Sequence, residues 1–146
     1  MPSYLSFTIE QRRYGVLLEA VRRVERMVEV APLPDAPSVI AGVIDFHGEM
    51  LPVFDLRRRF GLPLRPSLLT DHLLIATARG RTVALAIDTA EEVREVSAAG
   101  REAVSSEVVR ATTGLEGEPL FLLDFDRLLA EIALPPAAEE FDGADF

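Results

Sequence analysis

GVIDFHGEMLPVFDLRRRFG, Gly42–Gly61, holds a histidine, two aspartates, a proline inside an apolar run and three consecutive arginines. Two readings compete for it. In one it is a reactive centre with His47 as base or metal ligand. In the other it is a β-hairpin followed by a short helix, with its polar residues at the turns. A copy elsewhere in the chain favours the second. Shifted by 69 residues, GEMLPVFDLRRRF (48–60) falls on GEPLFLLDFDRLL (117–129), and Gly48, Glu49, Leu51, Asp55 and Arg58 meet identical residues. The same shift lays YGVLLEAVRRVERM (14–27) on VALAIDTAEEVREV (83–96), with Glu19 on Asp88 and Val24 on Val93. Two ungapped windows at one offset are the mark of an internal repeat. A turn that occurs twice, as HGEM and EGEP, is architecture, and only His47 belongs to the first copy alone.

Working outward, short β-like segments recur between Gly, Pro and Asp breaks. Tyr4–Ile9 and Tyr14–Leu18 flank a polar turn. Val39–Phe46 and Met50–Phe54 flank HGE, and His72–Ala78 and Thr82–Ile87 flank RGR. Leu120–Leu123 is a last apolar run. Pro52 suggests an edge strand or a bulge. Pro32, Pro34 and Pro37 exclude a long helix through APLPDAPS. Asp55 can cap LRRRF with Gly61 as the stop, and Asp124 can cap FDRLLAEI with Pro135 beyond it. Residues 20–27 suit a helix by composition and a twisted strand by their valines. Residues 97–114 have no clear period and read mostly as loop, with at most one helical turn. The expectation is an all-β fold of two similar halves with pseudo-symmetry and one or two short helices. It occupies residues 1–134, and an acidic, disordered tail occupies 135–146.

Composition narrows the function. The 146 residues carry a net charge of −9 with no cysteine and no tryptophan. There is no disulfide framework or thiolate metal site. With no basic stripe, nucleic acid is a poor partner. The Arg57-Arg58-Arg59 cluster reads as a solvated face. The N-terminal stretch lacks a positive start followed by a long apolar run, so no signal peptide is expected. Apolar runs fall short of the roughly 20 residues that span a bilayer, and a cytoplasmic protein is expected. One histidine at His47, with His72 far off in sequence, makes no metal site, and none is predicted; nor is a cofactor. Asp55 and Asp124 are repeat-equivalent, so N-capping explains both better than an acid–base pair. Val39, Ile40, Val43 and Ile44 read mostly as core. Gly48 and Gly117 supply turn geometry, and Phe141 and Phe146 in the tail are a weak docking motif at most.

YLSFTIEQRRYGVLLEAVRRV, PLPDAPSVIAGVIDFHGEMLPVFDLRRRFG, HLLIATARGRTVALAIDTAEEVREV and TGLEGEPLFLLDFDRLL together resemble the chemotaxis coupling protein family, the CheW-like domains, over residues 4–130. The resemblance implies two five-stranded β-barrels around a shared core, and a non-catalytic adaptor. Family members bridge the regulatory domain of a chemotaxis histidine kinase, itself related to this fold, and the cytoplasmic tips of chemoreceptors. Carried onto this chain, it implies a kinase contact at Val21, Arg23, Val28 and Val30. It implies a receptor contact at Val39, Asp45, Phe46 and His47, in a protein associated with membrane-bound receptor arrays. Two departures stand out. Asp45-Phe46-His47-Gly48 replaces the common N-L-R-G, and Arg23 stands where a glutamate is usual. Charge changes of this kind alter partner choice more than stability. They leave open a CheW-like module in another signalling or motility pathway with no chemoreceptor; an enzyme built on His47 is a distant third reading.

Overall fold

The computed structural model describes residues 2–96, 102–105, 108–113 and 118–131. The tail 135–146, with Phe141 and Phe146, and Gly117 lie outside the described residues. Eleven strands and two short helices are described, and the fold is all-β as expected. The strands are β1 (Ser3–Ile9), β2 (Arg12–Leu17), β3 (Val21–Arg26), β4 (Ile40–Phe46), β5 (Glu49–Asp55), β6 (His72–Ala78), β7 (Arg81–Ile87), β8 (Thr89–Glu95), β9 (Glu102–Ser105), β10 (Val109–Thr113) and β11 (Pro119–Leu123). Helix α1 spans Leu56–Phe60 and α2 spans Phe125–Ala130.

One sheet has the order β8-β1-β2-β11-β10-β9 and the other β3-β6-β7-β5-β4. The 69-residue shift carries β6, β7, β3, β5 and β4 onto β1, β2, β8, β11 and β10, so the two orders superpose. Parallel ladders β2–β11 and β7–β5 occupy equivalent places. The sequence halves are not the structural halves, however. Each half of the chain gives its first hairpin to the sheet built by the other, and the two copies are interlocked. The sheets also differ by one strand. β9 would fall on residues 33–36, within the proline-rich APLPDAPS, where missing N–H groups prevent a ladder. Only the Ala31–Val43 bridge survives there.

Two expectations are corrected and one open reading is resolved. Residues 97–114 contain β9 and β10 rather than mostly loop. Within residues 20–27 the strand alternative holds, as β3 over Val21–Arg26, preceded by one 3₁₀ turn at Leu18–Ala20. Pro52 is neither on an edge strand nor, by register, at a bulge. β5 lies between β7 and β4, and proline is tolerated because the parallel ladder to β7 starts only at Val53.

Packing follows strand alternation. In β6, Leu74 and Ala76 enter a core shared by both sheets, with Phe7, Val16, Phe54, Leu85 and Leu128. Leu73 and Ile75 point the other way, into a second core with Met27, Ile44, Leu51 and Val53. A strand buried on both faces reads as a continuous apolar run, as HLLIATA does. Tyr4, Leu120 and Leu122 form the equivalent private core of the first sheet. Each sheet thus curls around side chains of its own while sharing one layer with its neighbour.

Candidate interaction surface

The β4–β5 hairpin turns through His47 and Gly48, at φ 53° and 88°. Positive φ at both central residues makes a two-residue primed turn, in which glycine is the favoured second residue. The Asp45 carboxylate accepts the Gly48 N–H at 2.8 Å and fixes the turn. Asp45 is therefore a turn lock as well as an exposed charge. The turn projects Phe46 and His47, whose rings meet edge-on with centroids 4.4 Å apart. The Arg23 guanidinium carbon lies 5.9 Å from the Phe46 centroid, and Arg23 Nε donates to Glu25 at 2.8 Å. β3 and β4 end opposite margins of their sheet, so curling brings Arg23, Phe46 and His47 into one continuous surface.

The other candidates do not join it equally. Val28 is 49% exposed just beyond β3. Val30 is half-buried against the private core of its sheet, and Val21 and Val39 are half-buried against the shared core. Val39 also accepts the Asp55 N–H at 2.7 Å, at the end of β4 away from Phe46. Its side chain is more core than surface.

His47 is exposed at the tip of the turn. Among the described residues no group of three metal-ligating side chains occurs. His72 opens β6, with Nδ1 3.4 Å from the Asp88 carbonyl. Asp55 and Asp124 cap the two helices: Asp55 Oδ1 accepts the Arg57 and Arg58 N–H groups at 3.0 and 3.4 Å, and Asp124 Oδ1 accepts that of Arg127 at 3.1 Å.

The reading of Arg57-Arg58-Arg59 as a solvated face fails at its first member. Arg57 is only 8% exposed. It donates to both Asp88 carboxylate oxygens at 2.8 Å, to Glu10 and to the Pro63 carbonyl. Arg65 makes a two-bond fork to Asp71 at 2.9 Å and reaches Asp88 at 2.9 Å. Burial opposes the Arg57 charge, but the hydrogen bonds to Asp88 and Glu10 outweigh it and raise its pKa. Burial likewise opposes the Asp71 charge, and the Arg65 fork and the Leu68 N–H overcome it, holding the carboxyl below its ordinary range. This network pins the 62–71 loop.

Two clefts of about 720 and 290 Å³ repeat the pseudo-symmetry. Leu17, Glu19, Arg110, Leu122, Asp124 and Asp126 line the larger. Their counterparts 69 residues away, Ala86, Asp88, Ala41, Val53, Asp55 and Arg57, line the smaller. The Arg57–Asp88 pair sits where the larger cleft has Asp126 and Glu19, two carboxylates in place of an ion pair.

Comparison with known proteins agrees with this architecture. The CheW-like domain model matches residues 3–133. The chain is 27% identical to the chemotaxis protein CheW of Rhizobium meliloti (strain 1021) over 93 residues, 64% of this chain and 60% of that relative's length. It is 26% identical to the chemotaxis protein CheW of Klebsiella aerogenes over 140 residues, 90% of this chain and 84% of that one. The crystal structure of the scaffolding protein TtCheW from Thermoanaerobacter tengcongensis superposes with a TM-score of 0.75 at 23% identity, covering 85% of this chain and 90% of that one. With the family match running through both interlocked sheets, the chain belongs to the CheW-like domain family.

Proposed function

We propose that this protein is a non-catalytic adaptor in chemotaxis-type signalling, which holds a histidine kinase and a chemoreceptor in one cytoplasmic array. The observation that carries the reading is the exposed β3 strand, with Arg22, Arg23, Val24 and Arg26 open to solvent at a sheet margin in a CheW-like fold. The kinase regulatory domain contacts β3 and its extension through Arg23 and Val28, with Val21 and Val30 supporting the backbone from beneath. The receptor tip meets the β4–β5 hairpin at Asp45, Phe46 and His47, with Val39 shaping the strand behind them. Because Arg23 rests on Phe46, the two contacts adjoin. Reversed charge at Arg23 and a histidine at position 47 suit partners whose own charges have changed to match.

The test is calorimetry of this protein with the regulatory domain of the histidine kinase from the same genome. Saturable binding, weakened about tenfold by Arg23→Glu with an unchanged melting temperature, supports the reading. No binding at high micromolar concentration overturns kinase coupling and favours a module of a different pathway. A large fall in melting temperature would make Arg23 structural.

A further inference from the structure

One face of the molecule carries an aromatic and basic strip that the repeat does not require. The rings of Phe60 and Phe121 lie against Tyr14, with centroids 5.2 and 5.5 Å from it, and Phe7 stacks on Tyr14 at 5.7 Å. Phe7 and Tyr14 are buried, whereas Phe60 and Phe121 are only half-buried. Arg12 stands two residues before Tyr14, on the same face of β2. Burial raises the Tyr14 pKa, and the nearby Arg12 charge draws it back. Arg58, on α1 two residues before Phe60, is exposed like Arg12, and its ion pair with Asp55 is loose at 3.6 Å. Shifted by 69 residues, the positions of Tyr14, Phe60 and Phe121 hold Val83, Leu129 and Pro52. The second copy folds without the three rings, so the architecture alone does not call for them.

The end of α2 delivers the chain to this strip. Glu131, directly after α2, takes a two-bond fork from Arg59, both bonds at 2.8 Å. That fork holds the Glu131 carboxyl below its ordinary pKa. Residues 132–146 follow. They contain Glu139, Glu140, Asp142 and Asp145, no basic residue, and Phe141 and Phe146 among the carboxylates. Phe141 is ten residues beyond Glu131, a reach of up to roughly 33 Å.

We propose that residues 139–146 dock on this strip of their own chain, with Phe141 against Phe60 and Phe121 and the carboxylates against Arg12 and Arg58. A further ring covers aromatic surface left open to water, and the flanking arginines select an acidic segment. Pro135-Pro136 restricts the chain before docking and lowers the entropy lost on it. The tether holds the segment at about millimolar effective concentration, so a contact too weak to join separate molecules is occupied within one. With a net charge of −9, most of the molecule repels an acidic segment, and a basic strip beside its point of departure is where it settles. The docked segment leaves His47 free, because the β4–β5 turn lies at the opposite end of β5 from α1.

The chain has no cysteine, so Gly143→Cys gives a nitroxide label a single attachment point. Amide line broadening is then read on the isotope-enriched full chain. Broadening is expected at residues 12–14, 58–60 and 121, with little at His47. Phe141→Ala in the same labelled chain should cut it about threefold. Salt at about 0.5 M should also reduce it, because exposed charges are then screened within a few ångströms. Spin-labelled chains without isotope, mixed with enriched chains without the label, should produce none. Broadening that is absent from the strip, or centred on the basic strand β3, overturns the proposal. So does an effect that Phe141→Ala or salt leaves unchanged, or broadening in the mixture, which would make the occupant a second copy's tail.

Discussion

Replacing Arg65 by methionine tests the ionic network that pins the 62–71 loop. The change removes the two-bond fork to Asp71 and the bond to Asp88 while keeping an unbranched apolar stem. Asp71 is 7% exposed and would retain one N–H donor, from Leu68. Breaking a fully buried pair costs about 3–5 kcal/mol. Arg65 is 29% exposed at its side chain, and Asp88 keeps Arg57, so water and the remaining partner recover part of the loss. A fall of about 2.5 kcal/mol at pH 7 follows, or about 7 °C in Tm for a domain of this size. The pH dependence has a defined sign. The folded-state pKa of Asp71 is depressed, so its contribution is present above the ordinary carboxylate range and disappears as pH falls through the folded value. In the variant burial still favours the neutral form of Asp71, and only the Leu68 N–H and the Arg57 charge oppose it. The gap between wild type and variant should therefore be widest near neutrality and narrow below about pH 4. Urea unfolding of both proteins across that range measures it. A gap below about 0.5 kcal/mol at pH 7, or one that does not narrow in acid, would refute the reasoning.

Further substitutions probe other links. A Cβ at Gly42 would lie 2.2 Å from the Ala31 carbonyl oxygen and 2.8 Å from a Val30 methyl, so Gly42→Ala should break the Ala31–Val43 bridge and cost about 3 kcal/mol in urea unfolding. Asp55→Ala should cost about 1 kcal/mol, and Asp124→Ala less, because Asp55 accepts two backbone N–H groups and Asp124 one; equal losses in thermal melts would count against capping as the cause. Phe46→Leu keeps an apolar side chain but removes the ring under Arg23, at a cost of about 0.5 kcal/mol. Its clearer readout is the Arg23 Nε–H resonance, which should lose its ring-current shift while the melting temperature holds.

How much of this was legible in the sequence depended on whether the signal was periodic or tertiary. The hairpins, the two capped helices and the repeat all followed from short-range pattern, because turn chemistry and strand alternation are local. Residues 97–114 misled because β9 is four residues long and β10 five, too short to show alternation. Val39 read mostly as core by pattern and as a receptor contact by resemblance, and its half-buried side chain packs against the shared core. Arg57 was misjudged for a different reason. In a run of three arginines nothing local distinguishes the buried one, since its partners Asp88 and Glu10 lie 31 and 47 residues away. One clue was available: Asp88 faced Glu19 across the repeat, a carboxylate kept at both copies beside an arginine present in only one.

That clue bears on how the two copies divided their roles. An interlocked repeat is constrained wherever a residue serves both cores, since each sheet contains strands from both halves of the chain. Positions of that kind stayed apolar: Leu5 and Leu74, Val16 and Leu85, Phe54 and Leu123, and Leu56 and Phe125 all lie in the shared core. Divergence is concentrated where a residue meets only solvent or a cleft. There Arg57 became Asp126, Ala41 became Arg110, and the β3 charges became their opposites on β8. Had the hairpins not exchanged, each half could have drifted as an independent barrel. Because they did exchange, the fold holds the two margins in a fixed relation while leaving their charges free to change. An adaptor needs that combination, a rigid core with two faces that present the same shape and attract different partners.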